Sequence, residues 1–445
     1  MSFARYPTYK DSGVEWLGEV PGHWDVIRVK NALASMGSGG TPDTDTPMFW
    51  ADDDGISWVA IADMSERDYV EATAKHLTHA GLNSKRLSVW PEGTLLFSMY
   101  ASLGHVAVLR LPAATNQAIL ALVPKPDISQ SFLKRWFEFL RPGLREHASS
   151  NTQDNLNAEK VRNLVAVRPP LPEQLHIAAF LDRETAKIDA LVGEQQRLME
   201  LLNEKRQAVI SHAVTKGLNP NVPMKDSGTA WLGTVPAHWE VTKMKWVARM
   251  ESGHTPDKKV PAYWDDGDIP WVSLNDTGFL KDNDYISETA YAVTQLGIEN
   301  SSAHLLPAHT VVFSRDATIG RCAITTRAMA VSQHFIGWVC GKAIVPEFLL
   351  LRLRSMTGEL ERLTTGATLK TIGMPEVRTL VTPVPPLHEQ RAVIAWVSNQ
   401  TARLDTLTTT AHHAIDLLQE RRTALISAAV TGQIDVRPAA ERASA

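Results

Sequence analysis

This chain of 445 residues has few cysteines, no long apolar run and no excess of basic residues. The two cysteines, Cys322 and Cys340, form neither a C-x-x-C pair nor a metal-binding cluster, which excludes a disulfide framework and favours a reducing compartment. No run of about 18 apolar residues occurs, so no membrane-spanning helix is expected. The polar beginning lacks the basic-then-apolar order of a signal peptide, and we expect a cytoplasmic protein.

The charge balance argues against one class of DNA-binding protein. Lys and Arg number 45 against 49 Asp and Glu, a net charge of −4 at pH 7. Proteins that coat DNA without sequence preference gain most of their affinity by neutralising phosphates with Lys and Arg. A DNA-binding protein of this composition must therefore gather its basic residues on one face or obtain positive charge from partners.

Signatures of catalysis are missing as well. The sequence has no Asp/Asn-Pro-Pro-Tyr/Phe motif, no G-x-x-x-x-G-K-S/T phosphate loop, no H-E-x-x-H and no G-x-S-x-G. His23 and His238 stand in matched P-x-H-W turns, where a hydrogen-bonded structural histidine is favoured over a catalytic one. The acidic turns at 52–54 and 265–266 lack a second ligand cluster, which favours solvated turns over a metal site. We expect no catalytic residue, no metal and no cofactor.

What the chain does contain is a long internal duplication. KDSGVEWLGEVPGHW at 10–24 returns as KDSGTAWLGTVPAHW at 225–239, an offset of 215 residues. RPPLPEQ at 168–174 returns as VPPLHEQ at 384–390, an offset of 216. A solenoid repeat has a period of about 20–50 residues, so this is one composite unit written twice. Two such units related by a pseudo-two-fold axis suit a DNA site in two halves.

The last part of each repeat predicts a long helix. Prolines begin the segment at 169–172, none follows before Pro220, and Gly217 occupies a C-terminal cap position. A helix over 172–215 would be about 66 Å long, roughly two turns of B-DNA. A coiled-coil spacing of 3.5 residues recurs in both helices, and its apolar members in the first are Ile177, Leu181, Ile188, Leu191, Leu198, Leu202 and Val209.

Polar residues and Gly193 interrupt this seam, so a lone helix would be marginal. We expect the two helices to pack as an antiparallel coiled coil. The alternative is that each helix folds back on its own domain.

The first part of each repeat predicts a mixed α+β domain. Short β-type runs alternate with turns over 25–168 and 240–384, and Ser131–His147 and Glu347–Leu363 predict amphipathic helices. Tryptophans recur in matched pairs, for which core packing with a bonded indole N–H is favoured over base stacking. The pairs are Trp16/Trp231, Trp24/Trp239, Trp50/Trp264 and Trp58/Trp271.

In this order, twice over, the motifs resemble the specificity subunits of type I restriction–modification systems, across about residues 8–435. They include the opening DSGVEWLGEVPGHW, the G-x-T-P loops, SRDATIG at 314–320, the loops ATNQ and AVSQ, and TTGATLKTIGMPEVRTLVTPVPPLHEQ at 364–390. The resemblance implies a non-catalytic DNA-recognition protein whose two target-recognition domains each contact half of an asymmetric bipartite site in double-stranded DNA. It implies two methyltransferase subunits that use S-adenosylmethionine, and ATP-driven restriction subunits, as partners.

The domain organisation and one departure follow from this resemblance. The first head has SMYASLG where the second has SRDATIG, so Met99 replaces Arg315, and ASSNTQDNL replaces TTGATLKTI; heads that recognise different half-sites would need such differences. The expected boundaries are 1–168 for target-recognition domain 1, 169–217 for helical region 1, 218–384 for target-recognition domain 2, 385–433 for helical region 2 and 434–445 for a tail.

Turns that recur at matched positions are the expected DNA contacts. Short polar side chains beside glycine allow the backbone to approach phosphates, and Arg, Asn and Gln can contact base edges. The alternative for each residue is a role in the turn alone. The candidates are Ser38, Gly39, Thr41, Ser98, Asn116, Gln117, Thr152 and Gln153 in the first head, and Ser252, Gly253, Thr255, Ser314, Arg315, Gln333, Thr368 and Lys370 in the second.

Two other functions compete with DNA recognition. One is an enzyme, a nuclease or methyltransferase with an unrecognised site, which an activity assay on the purified chain would reveal. The other is a coiled-coil scaffold whose heads bind proteins or peptides, which a binding assay on duplex DNA at low and moderate salt would separate from a DNA reader.

Overall fold

The computed structural model describes residues 4–100, 102–144, 156–365 and 370–437. The chain forms two compact units: unit 1 is Met1–Gln195 with His413–Ala445, and unit 2 is Gln196–His412. Each unit contains one head, head 1 or head 2, and one segment from each of two long helices. The units therefore do not coincide with the two sequence repeats. Within the described residues, no helix combines the length and the apolar composition needed to cross a membrane.

Head 1 is built around a five-stranded sheet. Its middle strand, Leu95–Ser98, pairs antiparallel with Ile119–Pro124 and with Val106–Leu109. The outer strands are Leu33–Ser38, antiparallel to Ile119–Pro124, and Tyr69–Val70, parallel to Val106–Leu109. All residues of Leu95–Ser98 and Val106–Leu109 are buried, because both faces of the sheet are covered.

Smaller elements complete head 1. A second sheet has the strand order Ala114–Thr115, Ile56–Val59, Lys75–Leu77, Trp50–Ala51, and two-stranded sheets are formed by Tyr9–Asp11 with Glu19–Pro21 and by Asp25–Arg28 with Val165–Arg168. The helices are Val29–Ala32, Ile61–Met64, His79–Ser84, Gln130–Leu140 and Ala158–Asn163, with 3₁₀ turns at Pro47–Phe49 and Arg141–Gly143.

The alternation of side chains along the strands divides the core of unit 1 between two sheet faces. Leu95 and Phe97 belong to one apolar cluster, and Leu96 belongs to another. The larger cluster also takes in Phe180 from the start of the first long helix and Val430 from the end of the second. Unit 1 is thus completed by residues from the other repeat.

Head 2 repeats this arrangement. Its main sheet has the order Ala248–Ser252, Phe335–Cys340, Thr310–Ser314, Cys322–Thr325, Tyr285–Ile286, and its second sheet has the order Tyr291–Val293, Ile269–Val272, Ala330–Val331. Two-stranded sheets join Met224–Asp226 with Thr234–Pro236 and Glu240–Lys243 with Val381–Val384. The helices are Met244–Val247, Thr277–Asp282, Gln295–Glu299, Pro346–Arg354, Thr357–Arg362 and Met374–Val377, with 3₁₀ turns at Pro261–Tyr263 and Leu274–Asp276.

One predicted helix of head 2 is divided. The segment Glu347–Leu363 forms two helices, and at the break the Ser355 hydroxyl donates to the Arg352 carbonyl oxygen at 2.7 Å. Elsewhere the predicted fold class, two duplicated mixed α/β heads with long helices, is confirmed.

The long helices run over Leu171–Lys216 and Leu387–Val430. Gly217 and Gly432 follow them with φ of 75°, the left-handed conformation that ends a helix most easily at glycine. In unit 1 Arg422 Nε lies 3.2 Å from Asp189 Oδ1, and in unit 2 Arg206 pairs with Asp405. Residue numbers rise along one helix as they fall along the other, the order of antiparallel helices.

The buried stripe of the first long helix departs from the predicted seam. Leu191 and Leu198 are exposed, whereas Val192 and Met199 beside them are half-buried. Ten successive steps along the buried stripe, counted from Ile177, cover 36 residues. One step therefore averages 3.6 residues, which is the period of a straight helix. The second helix does the same, with Leu407 exposed. A strict 3.5-residue repeat would require supercoiling that this stripe does not demand.

The Glu-Gln pair of each P-P-L-x-E-Q motif anchors a long helix to its head. Glu173 accepts hydrogen bonds from Trp24 Nε1 at 3.0 Å and from His23 Nε2 at 2.8 Å. Gln174 donates to the carbonyl oxygens of Asp127 and Pro169. Head 2 repeats these contacts with His238, Trp239, Glu389 and Gln390. Both histidines are hydrogen-bonded, as expected of structural residues.

Candidate nucleic-acid interface

The candidate loops lie where two parallel strands of the second sheet end together. In head 1, Ala114–Thr115 runs parallel to Trp58–Val59, and in head 2 Ala330–Val331 runs parallel to Trp271–Val272. The next residue is tied to the neighbouring strand in both heads: Asn116 N donates to Val59 O at 3.0 Å. The loops after these strands therefore share one sheet edge.

The G-x-T-P loops pack directly on this edge. A Cβ atom at Gly39 would lie 1.7 Å from the Thr115 carbonyl oxygen, and one at Gly253 would lie 1.8 Å from the Val331 carbonyl oxygen. Only glycine allows such an approach. The glycines thus seat the loops against the strands, a reason distinct from the approach to phosphates that the sequence suggested.

Buried tryptophans hold the same loops. Trp58 Nε1 donates to the Gly40 carbonyl oxygen at 3.0 Å, and Trp271 Nε1 donates to that of His254 at 3.1 Å. Most of the matched tryptophans therefore have the core role expected of them, with a bonded indole N–H. Trp16 differs, because its surface is 50% exposed.

A threonine–glutamine pair brings two candidate residues together in each head. The Thr41 hydroxyl donates to Gln117 Oε1, and the Thr255 hydroxyl donates to Gln333 Oε1. Both glutamines are exposed. Each pair joins the G-x-T-P loop to the loop after the parallel strand, so residues 76 and 78 positions apart in the sequence meet at one point.

The two heads share a backbone frame around these pairs. Met99 N donates to Ala118 O at 2.9 Å, and the matched Arg315 N donates to His334 O at 3.0 Å. Their side chains differ: Met99 is buried, whereas the Arg315 guanidinium donates to the carbonyl oxygens of Gln333 and Ile372. Since these contacts hold two loops together, Arg315 acts here as a positioning residue as well as a candidate contact.

Head 2 carries a polar cluster that the sequence candidates missed. The buried Asp316 carboxylate lies 2.7 Å from His334 Nδ1 and accepts from the Thr371 hydroxyl. His334 Nε2 lies 3.2 Å from Gln333 Nε2. The sequence did carry a signal, namely a difference between the heads: Asp316 and His334 stand where head 1 has Tyr100 and Ala118.

The remaining candidates have different surroundings. Ser98 and Ser314 are buried within the main sheets, where the Ser314 hydroxyl donates to the Asp316 carbonyl oxygen at 3.0 Å. A direct DNA contact by either hydroxyl does not fit this burial. Exposed candidates are Ser38, Ser252 and Lys370, and Asn116 is half-buried. Thr152, Gln153 and Thr368 lie outside the described residues.

The two cysteines lie on strands of the main sheet of head 2 and are poor nucleophiles. Burial raises the pKa of Cys322 to about 11 and that of Cys340 to about 12. Both thiols are therefore protonated at neutral pH, and the thiolate is the reactive form.

Comparison with known proteins identifies the family. Residues 21–200 and 236–422 match the type I restriction modification DNA specificity domain. A putative type I restriction enzyme MjaX specificity subunit from Methanocaldococcus jannaschii is 21% identical over 95% of this chain and 96% of its own length. The MjaIX specificity subunit of the same organism is 24% identical over 53% of this chain and about half of its own length, 54%.

A solved structure shares the fold. A chain from a study of complex assembly and conformational transition of the type I restriction–modification system superimposes with a TM-score of 0.70 at 15% identity, over 92% of this chain and 98% of that one. Because the family domain is matched twice, once in each repeat, the chain belongs to the family of DNA specificity subunits of type I restriction–modification systems.

Proposed function

We propose that this specificity subunit recognises an asymmetric bipartite site in double-stranded DNA, with head 1 contacting one half and head 2 the other. The observation that carries the proposal is the matched threonine–glutamine pair, Thr41–Gln117 and Thr255–Gln333, exposed at the same sheet edge of both heads. Glutamine is suited to base edges in the major groove. The different side chains around the two pairs suit two different half-sites.

The proposed contact set follows from exposure. It contains the side chains of Ser38, Thr41, Asn116 and Gln117 in head 1 and of Ser252, Thr255, Arg315, Gln333 and Lys370 in head 2, with Thr152, Gln153 and Thr368 as further members. The glycines shape the loops, and the buried Ser98 and Ser314 are left out. Exposed Lys85, near Gly40, and exposed Lys258, near Thr255, would supply phosphate contacts that set the position of the duplex.

The rest of the complex is proposed on the family resemblance. Two methyltransferase subunits and the restriction subunits would bind this chain in the cytoplasm and supply catalysis and part of the positive charge that it lacks. The domain boundaries at 168, 217, 384 and 433 remain part of this proposal. The long helices would set the distance between half-sites.

The deciding experiment is methylome sequencing of the host with and without the gene. Loss of one bipartite methylated motif on deletion is the expected result. Complementation with Thr41→Val/Gln117→Ala should alter one half of the motif, and the matched Thr255→Val/Gln333→Ala should alter the other. An unchanged methylome after deletion, or loss of both halves with either variant, would contradict the proposal. Duplex binding at low and moderate salt excludes a pure scaffold.

A further inference from the structure

A chain of hydrogen bonds in head 2 ends on the exposed amide of Gln333. Asp316 lies at its buried end, His334 lies between them, and Thr255 contacts the amide from the other side. The His334 side chain is 30% exposed and that of Asp316 is 7% exposed. These groups come from three loops that meet at the sheet edge.

With Asp316 accepting and the His334 imidazole neutral, each hydrogen bond of this network has one direction. An ionised carboxylate only accepts, so His334 Nδ1 carries the proton that is shared with Asp316 at 2.7 Å. In the neutral imidazole Nε2 is then an acceptor, and Gln333 must turn its NH₂ group toward it at 3.2 Å. Gln333 Oε1 consequently faces the Thr255 hydroxyl, which donates to it.

What remains on the amide defines a complementary base. A glutamine amide has two N–H donors and two acceptor lone pairs, and the hydrogen bonds with His334 and Thr255 use one of each. In the major groove adenine alone presents an acceptor, N7, beside a donor, N6–H₂; guanine presents two acceptors, cytosine a donor and thymine an acceptor. Resting on the proposed function, we infer that Gln333, oriented by Thr255, His334 and Asp316, selects adenine at one position of the second half-site.

The surroundings of Gln333 leave room for a base edge. A cavity of about 190 Å³ adjoins it, with Lys258, Asn275 and Tyr291 among its lining residues. Head 1 lacks the orienting pair, since Ala118 and Tyr100 replace His334 and Asp316. A hydroxyl can donate or accept, so Thr41 alone does not determine which end of the Gln117 amide faces it. The inference therefore concerns head 2 alone.

The test uses the full-length chain, co-expressed with its methyltransferase partner, and the methylated motif as readout. A second readout is binding of the chain to duplexes in which one base pair of the second half-site is exchanged. Gln333→Glu replaces the mixed amide by a group that only accepts, so preference should move from adenine to cytosine at one position. Asp316→Asn removes the determinant of amide direction, so discrimination for adenine should fall on the order of tenfold or more.

The matched control is Gln117→Glu in head 1, which should leave the second half-site unchanged. Because Gln333 is exposed, Gln333→Glu should keep the wild-type unfolding temperature, so that variant tests the inference even if Asp316→Asn unfolds. A bipartite wild-type motif whose second half is the same with Gln333→Glu overturns the inference and leaves the proposed function standing. A wild-type chain that directs no bipartite motif overturns the proposed function itself.

Discussion

Replacing Arg352 by methionine should stabilise unit 2. Arg352 is fully buried in the core of head 2, yet neither its Nε nor its Nη2 has a hydrogen-bond partner within the described residues. Its compensating contacts are a hydrogen bond from Nη1 to the Ser355 hydroxyl at 2.6 Å and a position 4.8 Å from the Trp231 ring centre. The matched residue of head 1 is Trp136, whose Nε1 donates to the Val165 carbonyl oxygen.

The size of the effect follows from the cost of burial. Burial lowers the pKa of Arg352 to about 9. A lowering of this size corresponds to roughly 5 kcal/mol against the charged side chain at neutral pH. The contacts with Trp231 and Ser355 offset about 3 kcal/mol of this cost. We therefore expect Arg352→Met to raise the free energy of unfolding of unit 2 by about 2 kcal/mol, or about 4–8 °C in Tm.

Hydrogen exchange of unit 2 peptides, together with urea unfolding, measures this change separately from unit 1. From about pH 9 up to the ordinary pKa of arginine, the unfolded chain keeps the Arg352 proton that the folded chain has lost. Wild-type stability should therefore rise with pH in that window, and its difference from Arg352→Met should shrink. Arg352→Lys, which keeps a buried charge, should give no gain. A methionine variant less stable than wild type at pH 7 would refute the reasoning.

Three further predictions concern the loops and the helices. Gly253→Ala places a Cβ atom 1.8 Å from the Val331 carbonyl oxygen and should abolish recognition of the second half-site. The control Gly278→Ala, whose Cβ meets nothing within 4 Å, should leave that recognition unchanged. The same methylated motif from both variants would contradict this prediction. Four residues inserted near Gln195 add about 6 Å of helix and should favour half-sites one or two base pairs farther apart. An insertion of eleven residues should best keep the 3.6-residue stripe in phase. Folded insertion variants that keep the original spacing would show that the helices do not set the distance between half-sites. A fragment of residues 1–217 lacks the side chains of Ile426, Ala429 and Val430 that complete the unit 1 core, but a second copy of the fragment offers the identical Ile210, Ala213 and Val214. The fragment should therefore dimerise and, with the methyltransferase, direct methylation of a palindrome of the first half-site. A soluble monomer, seen by light scattering, would refute the pairing.

Much of the fold could be predicted because it depends on local pattern and on the duplication. Strand pairs such as Leu95–Ser98 with Val106–Leu109 follow from buried β-type runs around a turn. The long helices follow from their proline starts, glycine ends and unbroken length. The division of the helix at Ser355 escaped prediction, because the apolar pattern continues across the break.

The candidate site was predicted in part for a related reason. Repetition singled out Thr41, Gln117, Thr255 and Gln333, and the structure joins them in pairs. The same criterion passed over Asp316 and His334, since a residue present in only one head leaves no repeated signal. It also selected Ser98 and Ser314, because repetition marks buried strand residues as readily as exposed loop residues.

The sequence by itself determined that two like heads exist, that each continues into a long helix, and that glycine occurs where a loop must approach a strand. These features depend on neighbours in the chain or on comparison of one repeat with the other. Only the tertiary structure decided that the unit 1 core is completed by Val430 and the unit 2 core by Val214, each from the far end of a helix that begins in the other unit. Only the tertiary structure also decided which end of the Gln333 amide faces His334, because it brings Asp316, His334 and Gln333 together. Such contacts join residues far apart in sequence, and the packing that selects them has no local periodicity from which it could be predicted.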